Sequence, residues 1–206
     1  MSNVWGDTAT PLKSAYPSPL LPDGLASLDY PFDEAKIKAA LPAGTKVTVV
    51  YSPDSSGVER RFADLMRQNL AKVGVTVVER QAQLSEVYGY RDNTKKAPEF
   101  YISTPTPDAA APDAWARILW YTKGGLNFFN YSNPQVDAAI DAGSVEPDAK
   151  KADAFYARAG QLATAEYGEA PIAQVKDLMV LRNDLTGVQH VPAYPWTLNL
   201  GTLARR

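Results

Sequence analysis

Residues 46–81 read KVTVVYSPDSSGVERRFADLMRQNLAKVGVTVVERQ, and this stretch decides the fold. Lys46 to Tyr51 is rich in β-branched residues, the composition of a strand. The loop Ser52 to Gly57 follows. From residue 58 to 72 the period becomes helical: Val58, Phe62, Leu65, Met66 and Leu70 share one stripe, opposite Arg60, Arg61, Asp64, Arg67 and Gln68. Gly74 is placed to stop the helix, and Val75 to Gln81 is a second strand. Strand, helix and strand with short connections make a βαβ unit, whose strands pair in parallel through a right-handed crossover. A short helix near 84–91 and a third strand over Glu99 to Thr104 extend the order to β-α-β-α-β. The expected class is therefore α/β, with a mostly parallel sheet, flanking helices and the carboxyl ends of three strands on one edge.

Working outward, Asp33 is an N-cap candidate for a short helix with Ile37, Ala40 and Leu41 on one face, stopped by Pro42 and Gly44. Residues 10–31 hold five of the 16 prolines and show neither period. Their large apolar members, Tyr16, Leu20, Leu21, Leu25 and Leu28, predict an extended strap packed on a surface rather than a free tail. The domain reading is a strap over 1–32 and a single lobe over 33–206.

Downstream the chain turns helical. Asp113 to Tyr121 presents Trp115, Ile118, Leu119 and Trp120 inward. Asn133 followed by Pro134 is a capping residue with proline at the first helical position, and Val136, Ala139 and Ile140 supply the buried face. Asp148 opens a long helix to about Tyr167, with Ala152, Phe155, Ala159, Leu162 and Ala163 as its apolar face. Residues 172–181 have room for one or two strands, and 187–192 and 196–203 are strand-like but short.

Composition narrows the function. The 206 residues carry 21 Lys+Arg against 23 Asp+Glu, for a net charge of -2. The first 103 residues hold 12 basic and 12 acidic side chains and the rest 9 and 11, so neither half has the basic excess of a nucleic-acid binder. With no cysteine, disulfides, thiolate nucleophiles and cysteine-ligated metals are excluded together. No run approaches the ~18 apolar residues of a membrane span, and residues 1–20 lack a signal-peptide pattern.

No GxSxG, HExxH, GxxxxGK[ST] or GxGxxG occurs. His190 is the only histidine. It is expected as a packed or surface residue, and it rules out metal sites built from several imidazoles. No cofactor or metal is expected. Asp108 and Asp113 follow the third strand, at the edge where α/β sheets bind ligands. A carboxylate there can hold a ligand's ammonium. Asp113 is better read as the N-cap of the Trp115 helix, while for Asp108 a ligand and a turn-capping role stand level. The loop 52–57 precedes a helix N-terminus and has weak anion-holding character beside its capping role. Phe128, Phe129 and Tyr131, with Trp115, Trp120 and Tyr121, are candidates for an apolar cleft. A rival reading pairs Asp108 with Asp113 or Asp137 as the acid and base of a small hydrolase. Another makes the strap a protein-interaction module.

Several stretches together resemble the family 5 extracellular solute-binding proteins, the peptide- and nickel-binding components of ABC importers. They are Tyr30-Pro-Phe-Asp-Glu-Ala-Lys with Ala-Ala-Leu; Leu70-Ala-Lys-Val-Gly-Val-Thr-Val; Gly125-Leu-Asn127-Phe-Phe-Asn-Tyr131-Ser-Asn133-Pro134-Gln-Val-Asp137; Ala170-Pro171-Ile172; and Leu181-Arg-Asn-Asp-Leu-Thr-Gly187-Val188, in the family's order. The resemblance runs from about residue 10 to the C-terminus. It implies a type II periplasmic-binding-protein-like lobe, the carboxyl-terminal half of a longer two-lobe protein that closes on its solute. It also implies an N-terminal lobe and a signal or lipoprotein peptide upstream, an ABC permease as partner, and an extracytoplasmic location with any membrane association through the parent's lipid anchor. Many peptide-binding members place an acid against the peptide amine. Here that place falls on Asp108 if Pro112 is matched to the family proline, and on no acid if Tyr101 is matched to the family tryptophan. The expected ligand-binding residues are Tyr101, Thr104, Asp108, Trp115, Asn127, Phe128 and Tyr131.

Overall fold

The computed structural model describes residues 2–31, 33–53, 57–166, 168–176, 179–189 and 199–206. In chain order the elements are α1 (Ser2–Trp5), β1 (Ala9–Pro11), α2 (Glu34–Ala40), β2 (Lys46–Tyr51), α3 (Val58–Ala71), β3 (Thr76–Gln81), α4 (Leu84–Tyr88) and β4 (Phe100–Ile102). Three helices follow, α5 (Pro112–Leu119), α6 (Pro134–Val145) and α7 (Ala149–Ala165), and then β5 (Ala173–Val175), β6 (Leu185–Thr186) and β7 (Ala204–Arg205).

The main sheet has the order β3-β2-β4, with both pairs parallel and Lys46 opposite Thr76 and Val49 opposite Phe100. The central strand β2 is covered on both faces, so its run of Val47, Val49, Val50 and Tyr51 is buried without alternation. Val47, Val49 and Tyr51 pack with Ala63 of α3 and with Val73, Val75 and Val77. Val50 points the other way, into a cluster with Ala82, Val87, Tyr90 and Phe128. Gly74 adopts φ +81°, the left-handed turn that lets the chain leave α3 and enter β3. The sheet and its parallel order are those expected from residues 46–104, with β4 shorter than its expected span.

The helix starts follow the capping chemistry. The Asp33 carboxylate accepts the Lys36 N–H at 3.0 Å, Asn133 Oδ1 accepts that of Gln135 at 2.8 Å, and Asp148 accepts that of Lys150 at 3.0 Å. At α5 the expected cap is corrected. Pro112 occupies the first helical position, so the cap is Ala111, and Asp113 sits inside the first turn. There its carboxylate accepts from Arg117 at 2.9 and 3.1 Å and from the Tyr156 hydroxyl at 3.3 Å. Arg117 also bridges to Asp141 of α6 at 3.0 Å, so one guanidinium ties two helices while Tyr156 adds the third.

The helical half gathers around the strap. Ala15, Tyr16 and Leu20 are buried among Trp115, Trp120, Val136, Ile140, Ala159 and Ala163. The Tyr16 hydroxyl donates to the Tyr156 carbonyl at 2.8 Å, and Trp115 Nε1–H donates to the Ala15 carbonyl at 3.0 Å. The Tyr16 ring fills the space over Gly160, where a Cβ would lie 2.8 Å from the ring. Farther upstream, β1 pairs antiparallel with β5, Thr10 opposite Gln174. β6 and β7 form a second small antiparallel pair.

Three side chains expected inside lie outside. Leu21 is 48% exposed, because the single 3-10 turn Ser18–Leu20 buries Leu20 and turns its neighbour out. Phe155 is 37% exposed and Tyr156 is buried in its place, since α7 is rotated to bring Tyr156 toward Asp113. Ala40 is exposed, and Ile37 and Leu41 carry the contact of α2 with the sheet core. Residues 200–202 form a single helical turn rather than a strand. His190 and the expected strand residues 191, 192 and 196–198 lie outside the described residues.

Candidate ligand-binding cleft

The carboxyl ends of β2 and β4 open onto a cavity of about 1220 Å³. Its sheet wall comprises Ser52 after β2, residues 100–107 of β4 and the loop that follows it, and one face of α3: Val58, Phe62 and Met66, spaced four apart. Trp5 of α1 closes this wall by packing on Phe62, with ring centroids 5.6 Å apart, while Arg61 holds the turn through the Val4 carbonyl at 3.0 Å. The floor is aromatic: Phe128 meets Tyr88 and Tyr101 edge to face at 5.3 and 5.7 Å. The helical wall is made by Trp115, Leu119 and Trp120 with residues 168–176, and the strap adds Leu12, Pro17 and Leu20. Ten aromatic side chains line the space, in a chain with 11 Tyr, 6 Phe and 4 Trp. Leu84, Tyr88, Phe100, Phe129, Ile172 and Val175 are all in the lining yet remain 37–50% exposed, so apolar surface continues outward from the cavity.

The polar groups are few. Glu59, at the start of α3, is 7% exposed and accepts the Ser52 N–H at 3.1 Å. Burial pushes its carboxyl up, opposed by that N–H and by the Thr104 hydroxyl alongside. Glu99 accepts the Thr48 N–H at 2.6 Å, which holds its carboxyl low. Glu169 receives Trp120 Nε1–H, and desolvation, the larger influence, pushes it up to about 7. Burial also pushes the Tyr101 phenol up to about 12. Two donors in the lining, Trp5 Nε1 and the Tyr131 hydroxyl, are shielded from water and make no hydrogen bond. Burial, and after it the neighbouring Glu166 carboxylate, push the Tyr131 phenol up.

Tyr101, Thr104, Trp115, Asn127, Phe128 and Tyr131 all come to this cavity, although 30 residues separate the first from the last. Their side chains do not all have free valences. Asn127 is 4% exposed and fully used by its own loop: Nδ2 donates to the Tyr121 and Tyr131 carbonyls at 3.1 and 2.7 Å, and Oδ1 accepts the Tyr131 N–H at 2.9 Å. It shapes the floor. Trp115 likewise spends its indole N–H on the strap.

Asp108 is not brought to this cavity. It lines a shallower one of about 510 Å³ with Asp113, Arg117, Tyr121 and Lys123. The acids of the hydrolase reading are engaged elsewhere, Asp113 by Arg117 and Asp137 by the Thr122 N–H at 2.8 Å. The anion-holding reading of loop 52–57 falls partly on residues 54–56, outside the described residues. Among the described residues no group of three or more Asp, Glu or His converges as a metal site.

Glu59, Trp5, Phe62, Tyr88 and Glu169 also line the cavity and are not among the residues expected from sequence. The stripe Val58, Phe62, Met66 was legible as apolar. Whether an apolar stripe meets a sheet or a cavity depends on partners distant in sequence, here Trp5, 57 positions earlier.

No protein-family model and no curated protein matches the sequence. Solved structures do. HbpA2 from Haemophilus parasuis superposes with a TM-score of 0.74 at 16% identity, over 98% of this chain and 41% of that one. The murein tripeptide binding protein MppA of Escherichia coli gives 0.73 at 20% identity, over 90% and 38%. The ABC transporter substrate binding protein CtaP of Listeria monocytogenes gives 0.72 at 19% identity, over 99% and 43%. The chain thus spans less than half the length of each. Their shared fold is the one that the sequence resemblance implied.

Proposed function

We propose that this chain is one wall of a solute-capture cleft: the carboxyl-terminal lobe, strap 1–32 and body 33–206, of an extracytoplasmic binding protein that delivers a small molecule or peptide to an ABC permease. The observation that carries the reading is the aromatic cavity at the carboxyl edge of a parallel sheet, with apolar side chains left exposed beyond it. A second lobe from the same parent would cover them on closure, and closure is the event a permease can sense. No chemistry is performed on the solute. The near-neutral charge, with no basic excess in either half of the sequence, argues against nucleic acid as a partner. Attachment to a membrane would come from a lipid anchor on the parent.

A thermal-shift screen of the purified chain against dipeptides, oligopeptides and sugars tests this. A ligand of the native state raises stability by RT ln(1 + [L]/Kd), so a half-cleft with millimolar affinity responds only at millimolar ligand. Micromolar binding by this chain alone, or turnover of any probe, would overturn the half-cleft reading.

A further inference from the structure

Loop 125–131, between α5 and α6, brings two consecutive phenylalanines to the cavity and is fastened on both flanks. The Leu126 N–H donates to the Ile118 carbonyl of α5 at 2.9 Å, and Asn127 closes the loop on itself through its three backbone bonds. On the other flank Arg91, just past α4, donates to the Gly125 carbonyl at 3.0 Å, and the Asn130 amide donates to the Arg91 carbonyl at 2.8 Å. Asn130 stands at φ +52°, a left-handed conformation that asparagine tolerates and most side chains do not. Phe128 and Phe129 are thus held in place before any solute arrives, and a surface already ordered loses little entropy on binding.

This floor presents rings. Phe128 stands nearly at right angles to Tyr88 and to Tyr101, at 82° and 80°, so that ring edges meet ring faces. Phe128 is buried, whereas Tyr88 and Phe129 remain 38% and 41% exposed in the same lining. A further flat ring laid there extends the pattern, while an aliphatic group of equal area gains burial alone. Hydrogen bonding is less on offer. The side chains of Asn127, Trp115, Glu59 and Glu99 each already serve backbone groups of the chain itself. Beyond β4 the lining continues as Ser103-Thr-Pro105-Thr-Pro107, in which two of five residues have no N–H. An extended peptide carries an amide every ~3.4 Å and needs a run of partners once water is excluded. A compact solute does not.

We propose that Tyr88, Phe128 and Phe129 form a ring-binding platform, and that the solute taken by this cleft is a compact molecule with a planar aromatic ring rather than an extended peptide. The proposal rests on the cleft reading above and adds the class of solute.

Benzamide and cyclohexanecarboxamide share a carboxamide on a six-membered ring and differ in aromaticity; N-acetyl-trialanine amide is an uncharged peptide without a ring. Each is titrated into the 206-residue chain at millimolar concentration, following by NMR the backbone amides of Tyr88, Phe128 and Phe129 on the platform and of Ser52 and Thr104 elsewhere in the lining. Benzamide should bind at least ~3-fold more tightly than either of the others, the worth of about one ring contact. Phe129→Leu keeps an apolar side chain and removes the ring, and should bring benzamide within ~2-fold of cyclohexanecarboxamide. Tyr88→Leu carries the same expectation and decides the matter should Phe129→Leu fail to fold. Equal binding of benzamide and cyclohexanecarboxamide overturns the ring platform, and peptide binding as tight as that of benzamide overturns the compact solute; either result leaves the cleft reading standing. A preference that survives both substitutions overturns the assignment to these rings. Absence of any shift in the lining with all three probes overturns the cleft reading and this proposal with it.

Discussion

Residues 46–104 supply their own core, with Val47, Val49 and Tyr51 packed under α3 by the residues that precede and follow it. Helices α5–α7 instead close around Ala15, Tyr16 and Leu20, delivered from the opposite end of the chain. The first region is held by contiguous apolar patterning. The second is held by specific long-range bonds, the Tyr16 hydroxyl on the Tyr156 carbonyl and Trp115 on the Ala15 carbonyl. Among element pairs in substantial contact, none joins β2–β4 to α5–α7. The junction is the loop through Leu126 and Phe128, which enters the cluster under Val50. The cavity lies over that junction, so a residue that joins the two walls, Phe128, is also part of the cavity floor.

Phe128→Ala strikes the junction directly. Loss of a side chain 6% exposed should cost about 3–5 kcal/mol. Native-state hydrogen exchange should then report different opening energies for the amides of β2 and of α7; equal energies would show that the two regions are coupled by something else. A smaller effect separates the regions by pH. Glu169 on the helical side has its folded pKa raised to about 7 from an ordinary 4.5. Its contribution to stability is therefore fully present below about pH 4.5 and is lost as pH rises through 7. Glu169→Gln should remove about 1–2 kcal/mol of that pH dependence, measured as the difference in unfolding free energy between pH 8 and pH 5. Tyr16→Phe is the mildest change. It deletes one buried hydrogen bond for about 1 kcal/mol, and should raise exchange in α7 while leaving β2 alone.

The sheet was readable because its information is local. Strand period, helical period and the glycine stop at position 74 all occur within 36 consecutive residues. The caps at Asp33, Asn133 and Asp148 were readable for the same reason, each side chain serving N–H groups two or three positions on. Six of the seven expected ligand-binding residues reach one cavity, since strand ends and the loop after α5 converge at the carboxyl edge of a parallel sheet. Asp108 does not, because the chain from Pro107 to Pro112 turns it toward Arg117 and Lys123 instead. Asn127 was found for its motif, yet its amide is consumed by three backbone bonds. No local pattern announces that. Glu59 was hidden in plain view, an acid one residue from the apolar stripe of α3. Only the fold shows that it is buried against the loop after β2, in a lining that Trp5 also joins.

By itself, then, the sequence determined the α/β class, the parallel order and which faces are apolar, since these follow from periodicities of 2 and 3.6 and from side chains capping their own neighbourhood. The tertiary structure alone decided which apolar faces close into core and which line a cleft, where the strap docks, and which carboxylates lose their water. Those outcomes depend on desolvation, and desolvation is set by residues that meet across 50 to 150 positions of chain.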